Sequence, residues 1–265
     1  MLIADRLLEV FRRHHLPPVT GFVNGHHVVD EPATEEVLRH WLAAGNPLGN
    51  HTYSHISLLK ASLDQYFADL EKGEDVLRRL MPAGAGDSAW KVFRYPFLFE
   101  GDTAEKRNGV RRYLSEHGYK IAEVTVEADD WAFNQPFARC AERSDTATMA
   151  ELHRELVAAH VDELGRMREL TRQLAGRDIA HILLLHIGEA EADTMDDLLT
   201  AFEKAGVRWI DLSTAIADPF YAQDPAVLAR SGAAFPYLVA RSRQVTTTPP
   251  IFARGLEQRL EKVCR

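Results

Sequence analysis

Val19-Thr20-Gly21-Phe22-Val23-Asn24-Gly25 reads as a short apolar strand closed by glycine, and its surroundings decide the fold class. Downstream, Thr34 stands where a helix cap is expected. Glu35 and Glu36 follow in the first turn, Val37, Leu38, Trp41 and Leu42 form an apolar stripe, and Gly45 is the stop. A second short strand then runs into Gly49-Asn50. The alternation continues beyond it. Ser62-Leu63-Asp64-Gln65 has capping-box form ahead of Leu63, Phe67, Leu70, Leu77 and Leu80. Lys91 to Pro96 reads as a strand that Pro96, lacking a donor, should end. A helix ending at Gly118, strands over 120–127 and 181–186, a helix ending before Gly206 and a strand over 207–212 complete the series. Short apolar runs separated by amphipathic helices predict an α/β fold built on a parallel sheet or (β/α) barrel.

The flanks are less regular. The chain starts at once as an amphipathic helix with Leu7, Leu8 and Phe11 on one stripe, with no signal peptide or strand before it. A long charged helical stretch over roughly 147–175 is expected to be part of an insertion around 140–178. Beyond residue 218 the periodicity weakens. The expected organisation is one α/β domain over 1–218 and a C-terminal appendage over 219–265 with a final helix near 255–263.

The 265 residues are 46% hydrophobic and 26% charged, with a net charge of -8. That balance, without a basic run, argues against a general nucleic-acid binder. No segment has the length and apolarity of a membrane span. Cys140 and Cys264 lack CxxC spacing and read as a half-buried thiol and an exposed one.

Several polar groups fall at the C-terminal ends of expected strands, the face where barrel-type α/β folds gather their active sites. His51-Thr52-Tyr53-Ser54-His55 follows one strand, and on a helical turn both imidazoles would share a face and converge on one metal ion. Arg94 ends another strand and offers a planar fork for a carboxylate. Asp129-Asp130-Trp131 follows a third, and His186 ends a fourth, behind three leucines. Asp130 could hold His186 in one tautomer and raise its pKa, which suits a general acid. Trp131 beside two acids reads either as core or as a wall for stacking sugar.

Taken together, His51-Thr52-Tyr53-Ser54-His55, Arg94-Tyr95-Pro96-Phe97, Asp130-Trp131 and Leu184-Leu185-His186 resemble, in order, four of the five motifs of the polysaccharide deacetylases. This is the NodB-homology, carbohydrate esterase family 4 group, and the resemblance covers roughly residues 1–215. It implies a distorted (β/α) barrel that removes N- or O-acetyl groups from polysaccharides. By resemblance, His51 and His55 bind a divalent metal, usually zinc, and Arg94 tethers the catalytic base. Phe97 contributes an N–H to the oxyanion. Asp130 tunes the acid His186, and Trp131 and Leu184, with Pro96 beside Phe97, line the acetyl and oxyanion pocket. The implied partner is an acetylated glycan, and family members usually act outside the cytoplasm.

The family's first motif, a strand ending in a Thr-Phe-Asp-Asp-Gly type of sequence, supplies the base and the third metal ligand. No stretch of these residues fits it. Asp5 falls inside the first expected helix and Asp196-Asp197 inside another, while Asp129-Asp130 belongs to a different strand. The resemblance places the motif upstream of Met1, so the expectation is a barrel without its first strand and an enzyme of doubtful activity in this form. Two alternatives remain at this level: a non-catalytic carbohydrate-binding relative, and a metallohydrolase recruiting a different carboxylate such as Glu100, Asp102 or Glu189.

Overall fold

A computed structural model describes residues 3–82, 86, 90–228, 231–247 and 255–265. In chain order its elements are α1 (Ile3–Arg13), β1 (Gly21–Val23), α2 (Gly25–Asp30), α3 (Pro32–Ala43), β2 (Leu48–Asn50), α4 (Leu63–Leu80), β3 (Val92–Phe93) and α5 (Ala104–Glu116). There follow β4 (Lys120–Ile121), α6 (Trp131–Glu142), α7 (Thr146–Ala175), α8 (Glu189–Lys204), α9 (Leu212–Ile216), α10 (Phe235–Ser242) and α11 (Leu256–Leu260). The chain divides into a sheet unit of Pro17–Glu123 and Asp211–Ser242 and a helical unit of Met1–Leu16, Val124–Ile210 and Arg243–Arg265.

In the sheet unit, four strands pair in parallel in the order β1-β2-β3-β4. Each crossover carries a helix, so this is the expected α/β architecture, and the sequential order is that of a barrel wall. The strands are two or three residues long, with Gly21 opposite Leu48 and Val92 opposite Lys120. Side-chain packing on the sheet therefore holds the unit more than ladder length does. Tyr66 and Leu70 of α4, Phe93 and Tyr95 around β3, and Val110, Leu114 and Tyr119 around α5 form one buried cluster. The capping box at Ser62 forms as read: its hydroxyl accepts from the Gln65 N–H and the Gln65 side chain accepts from the Ser62 N–H.

In the helical unit, Leu7 and Val10 of α1 pack on Ala192, Met195 and Leu199 of α8. Phe133, Phe137 and Cys140 of α6 pack on Leu152 and Leu156 of α7 and on Leu256 and Leu260 of α11. Asp145 caps α7 by accepting from the Thr148 N–H, and Gly176, at φ 69°, ends it.

Several local expectations are corrected. Thr34 caps nothing, because Pro32 opens α3 with Glu31 at the cap position, and proline tolerates that first turn. The strand expected over 120–127 is shorter: β4 stops at Ile121, and Val126 makes an isolated parallel bridge with Leu183. Residues 207–212 form no strand; Asp211 instead caps α9. Cys140 and Cys264 form a disulfide rather than two thiols. Met1 and Leu2 of the expected first helix lie outside the described residues. No helix among the described residues is long and apolar enough to cross a membrane.

The disulfide closes a loop across a sequence separation of 124 residues. A loop on that scale restricts the unfolded chain strongly, so Cys264→Ser should cost about 2–5 kcal/mol in denaturant unfolding. A second prediction concerns His14, whose Nδ1 and Nε2 face Glu203 and Asp196 of α8, each at 3.0 Å. Burial pulls this imidazole down, but the two carboxylates hold it above its ordinary 6.5. Its stabilising contribution should be full below about pH 6.5 and lost as pH rises through the raised value. Unfolding curves of wild type and His14→Gln should differ most at acid pH and converge in alkali.

Candidate functional site

The histidine loop begins where β2 ends. Asn50 is fully buried, and its Nδ2 donates to the Leu70 carbonyl at 3.0 Å and to the Tyr119 hydroxyl at 3.1 Å. Its Oδ1 accepts from the Thr52 N–H at 2.8 Å, which turns the chain sharply after the strand. Gly73 of α4 makes room: a Cβ there would lie 2.8 Å from Asn50 Oδ1 and 3.0 Å from the Thr52 backbone. The loop is then clamped along α4, where Ser54 donates through N–H and hydroxyl to the Asp69 carboxylate.

This backbone is not the helical turn expected for His51 and His55. Thr52 and His55 both adopt positive φ, 66° and 55°, an uncommon conformation for non-glycine residues. The rings nevertheless converge, with centroids 4.8 Å apart. His51 Nδ1–H donates to the Arg94 carbonyl at 2.8 Å, which leaves Nε2 with the lone pair a metal requires. His55 packs on Phe97 at 4.3 Å. The Arg94 guanidinium lies over the Phe22 ring at 4.2 Å, and burial pulls its pKa down to about 9 against the attraction of Glu123. Pro96 opens a tight turn in which Phe97 and Leu98 both take left-handed backbone, with Phe97 exposed. Gly232 rests on that turn; a Cβ there would overlap the Phe97 carbonyl.

The donors present fit a divalent ion only in part. Two imidazoles converge, but no group of three His, Cys, Asp or Glu side chains suited to a metal exists among the described residues. Catalytic zinc usually has three protein ligands. The alternative carboxylates are already engaged: Glu100 with Arg107 and Arg111, Asp102 with Lys106, and Glu189 with Arg6.

In the helical unit, the Val126–Leu183 bridge sets two chain segments side by side, and Leu184 N–H donates to the Val126 carbonyl at 3.0 Å. Running on from it, the two segments bring Asp130 and His186 together. Asp130 is fully buried at the start of α6. Its Oδ2 accepts from the His186 backbone N–H at 2.6 Å, and its Oδ1 faces His186 Nδ1 at 2.8 Å. That geometry fixes the tautomer with Nδ1–H on the carboxylate and Nε2 outward. Burial lowers the His186 pKa, yet Asp130 more than reverses this, so the imidazole titrates above its ordinary value. Burial likewise raises Asp130, and the bonds from His186 overcome it, leaving the carboxyl below its ordinary value. Trp131 is exposed beside the pair, its indole N–H on Asp129 at 3.3 Å, whereas Leu184 is buried.

Three titratable groups around Asp130 escaped sequence reasoning. Burial and the charge of Asp129 push Glu127 up to about 7. Burial and the charge of Asp130 push Glu191 up to about 8. His160 of α7 is fully buried, held below its ordinary value by desolvation, and donates Nδ1–H to the Leu156 carbonyl at 2.8 Å. Glu191 reads in sequence as one more acid favoured at a helix N-terminus, and nothing in its spacing betrays its burial.

Residues 3–122 match the family model described as polysaccharide deacetylase. A peptidoglycan-N-acetylglucosamine deacetylase of Bacillus cereus is 29% identical over 128 residues, which is 48% of this chain and 41% of that protein. The chain therefore spans well under two thirds of that relative's length. Among solved structures, a carbohydrate esterase family 4 pseudoenzyme from Bacillus anthracis superposes with a TM-score of 0.54 at 17% identity, over 81% of this chain and 60% of that one. A family 4 carbohydrate esterase from Streptomyces lividans gives 0.52 at 16% identity, over 81% and 90%. The chitin deacetylase of Colletotrichum lindemuthianum gives 0.55 at 19% identity, over 82% and 83%. At these identities the likeness is one of fold.

Removing the Asp130 charge takes away what raises His186 and leaves the burial that lowers it. Asp130→Asn should therefore move the His186 titration, followed by NMR of its ring protons, to a pH below that of wild type.

Proposed function

We propose that this chain, whose residues 3–122 match the polysaccharide deacetylase family model, serves metal-dependent removal of acetyl groups from N- or O-acetylated polysaccharide. The observation that carries this reading is the buried Asp130 bound at both oxygens to His186, whose Nε2 is left exposed. An imidazole braced in this way keeps its proton to a pH above its ordinary value, the property a leaving amine requires of its acid. As the acyl C–N bond breaks, His186 gives that proton to the departing nitrogen, and water supplies the oxygen that completes acetate.

The remaining residues take supporting roles in this proposal. Trp131 and Leu184 flank the acetyl group, the exposed indole offering a stacking face for a sugar ring. The Phe97 N–H, set by the turn that Pro96 opens, contributes to stabilising the oxyanion. Arg94 orients the carboxylate of a base. His51 and His55 supply two ligands to a divalent ion, usually zinc in this family, whose chemistry is Lewis-acid stabilisation of the developing charge. The third ligand and the base are not identified among these residues.

A second reading, a non-catalytic carbohydrate-binding relative, is favoured by one observation: the donor set stops at two imidazoles. Calorimetry with zinc and acetate release from N-acetylglucosamine polymers separate the two. The deacetylase reading expects weak zinc binding that is lost in His51→Ala. It also expects slow, chelator-sensitive acetate release that drops at least about 10²-fold in His186→Ala. Glycan binding indifferent to chelator, with no acetate released from any N-acetylated glycan, would sink it in favour of the second reading.

A further inference from the structure

Asp130 does not stand alone with His186. Glu191, in the first turn of α8, has only 1% of its surface exposed, and its carboxyl group interacts with that of Asp130. Its Oε1 accepts from Asn134 Nδ2 at 3.0 Å. Its Oε2 is buried, and no N–H or O–H group among the described residues reaches it. Two adjacent buried carboxylates cannot both be ionised without strong mutual repulsion, and a buried anionic oxygen without a donor adds a desolvation penalty. A proton on Oε2 removes both problems at once, because it neutralises Glu191 and gives Asp130 a further donor.

We propose that Glu191 is a positioning residue held as a neutral carboxylic acid, whose Oε2–H donates to Asp130 and so sets the proton affinity of His186. The inference deepens the deacetylase reading, in which His186 is the acid, and rests on it for its functional meaning. The groups facing Asp130 are the ones such a proton must answer to. His186 binds both carboxylate oxygens. Buried His160 of α7 is held neutral by desolvation, with Nε2 unpartnered. Glu127 and Asp129 add negative charge from the preceding turn, where Glu127 accepts from the Asp129 N–H at 2.8 Å. With Asp130 the ionised member beside His186, Glu191 is the carboxyl left to carry the proton, and it is pushed up to about 8.

The frame around Glu191 is built to hold it. Asn134 Oδ1 accepts from the Ala190 N–H at 3.1 Å, which orients the amide so that Nδ2 points at Glu191. Gly188, at the cap of α8, makes this approach feasible, since a Cβ there would overlap the Asn134 amide. The relay thus runs from the first turn of α8 through Asn134 and Glu191 to Asp130 and His186. Asn134 steers Glu191, Glu191 steers Asp130, and only His186 meets substrate.

The test follows the titration of His186 by NMR in the intact chain, so it does not depend on turnover. Glu191→Gln keeps a neutral donor and should leave the His186 midpoint within about twofold in proton affinity. Glu191→Leu removes the donor, concentrates charge on the Asp130–His186 bond, and should raise the affinity by roughly tenfold. If Glu191 were ionised, both variants would lose a negative charge and both midpoints would fall, which overturns the proposal; so would two unmoved midpoints. Infrared difference spectra give a second reading should the leucine variant fail to fold. At pH 6–7 one protonated-carboxyl C=O component should be lost in Glu191→Gln and persist in Glu127→Gln, which removes only the separate component of Glu127. A band absent from wild type, or untouched by Glu191→Gln, overturns the proposal. Failure to release acetate with these shifts intact would count against the deacetylase reading alone.

Discussion

Burying a carboxylate is costly unless donors surround it, and Asp130 imposes that requirement on everything near it. Its two oxygens draw in the backbone and the side chain of His186, which fixes how the segment after Leu183 must run relative to the start of α6. Because the backbone N–H of His186 holds Oδ2, Oδ1 stays aimed at Nδ1, and the ring cannot turn without losing that bond. The imidazole is thereby locked in tautomer and direction while its Nε2 face stays in solvent. Burial pulls such a histidine down, and the anion beside it holds it above its ordinary value. Burial, together with the charge of Asp129 on Glu127 and of Asp130 on Glu191, pushes these two acids toward neutrality, so both hold protons unusually well.

The histidine loop of the sheet unit solves a different problem with the same economy of parts. A two-imidazole grip reads most simply as i and i+4 on a helix, yet the chain leaves β2 into left-handed backbone at Thr52 and again at His55. Such conformations persist only where the surroundings over-determine them. Here Asn50 bonds in three directions, Asp69 accepts twice from Ser54, and Gly73 lets the loop lie against α4. The geometry is set by the scaffold, and the Arg94 carbonyl fixes the tautomer of His51.

How much of this was legible in the sequence divides along physical lines. Residues whose role depends on local spacing were readable: the Ser62 capping box, the long helix ending at Ala175, Gly45, Gly118 and Gly206 as stops, and the parallel α/β order. Family motifs named the Asp130–His186 pair, whose geometry the structure supplies. Residues whose role depends on burial were not readable. Glu191 and His160 sit in helices where their types are unremarkable, and only tertiary packing removes them from water. The missed cap at Thr34 shows a local rule losing to a stronger one, since Pro32 can open a helix three residues earlier, with Glu31 at the cap. The strand expected over 207–212 does not form: Trp209 stacks on Phe202 and joins the α1–α8 cluster, whereas Ile210 is exposed.

Cysteine reading failed for a related reason: two cysteines separated by 124 residues carry no local signal of pairing. Their bond explains how so short a helix as α11 keeps its place. Five residues of helix are marginal alone, but Leu256 and Leu260 insert beside Phe133 and Phe137, and the Arg139 guanidinium donates to the carbonyls of Leu260 and Val263. Cys264 then ties the segment covalently to α6, the helix whose first turn carries Asp130 and Trp131. Disulfides persist in oxidising surroundings and are reduced in the cytosol. Reduction of that bond would leave α11 held only by its packing and by the Arg139 hydrogen bonds.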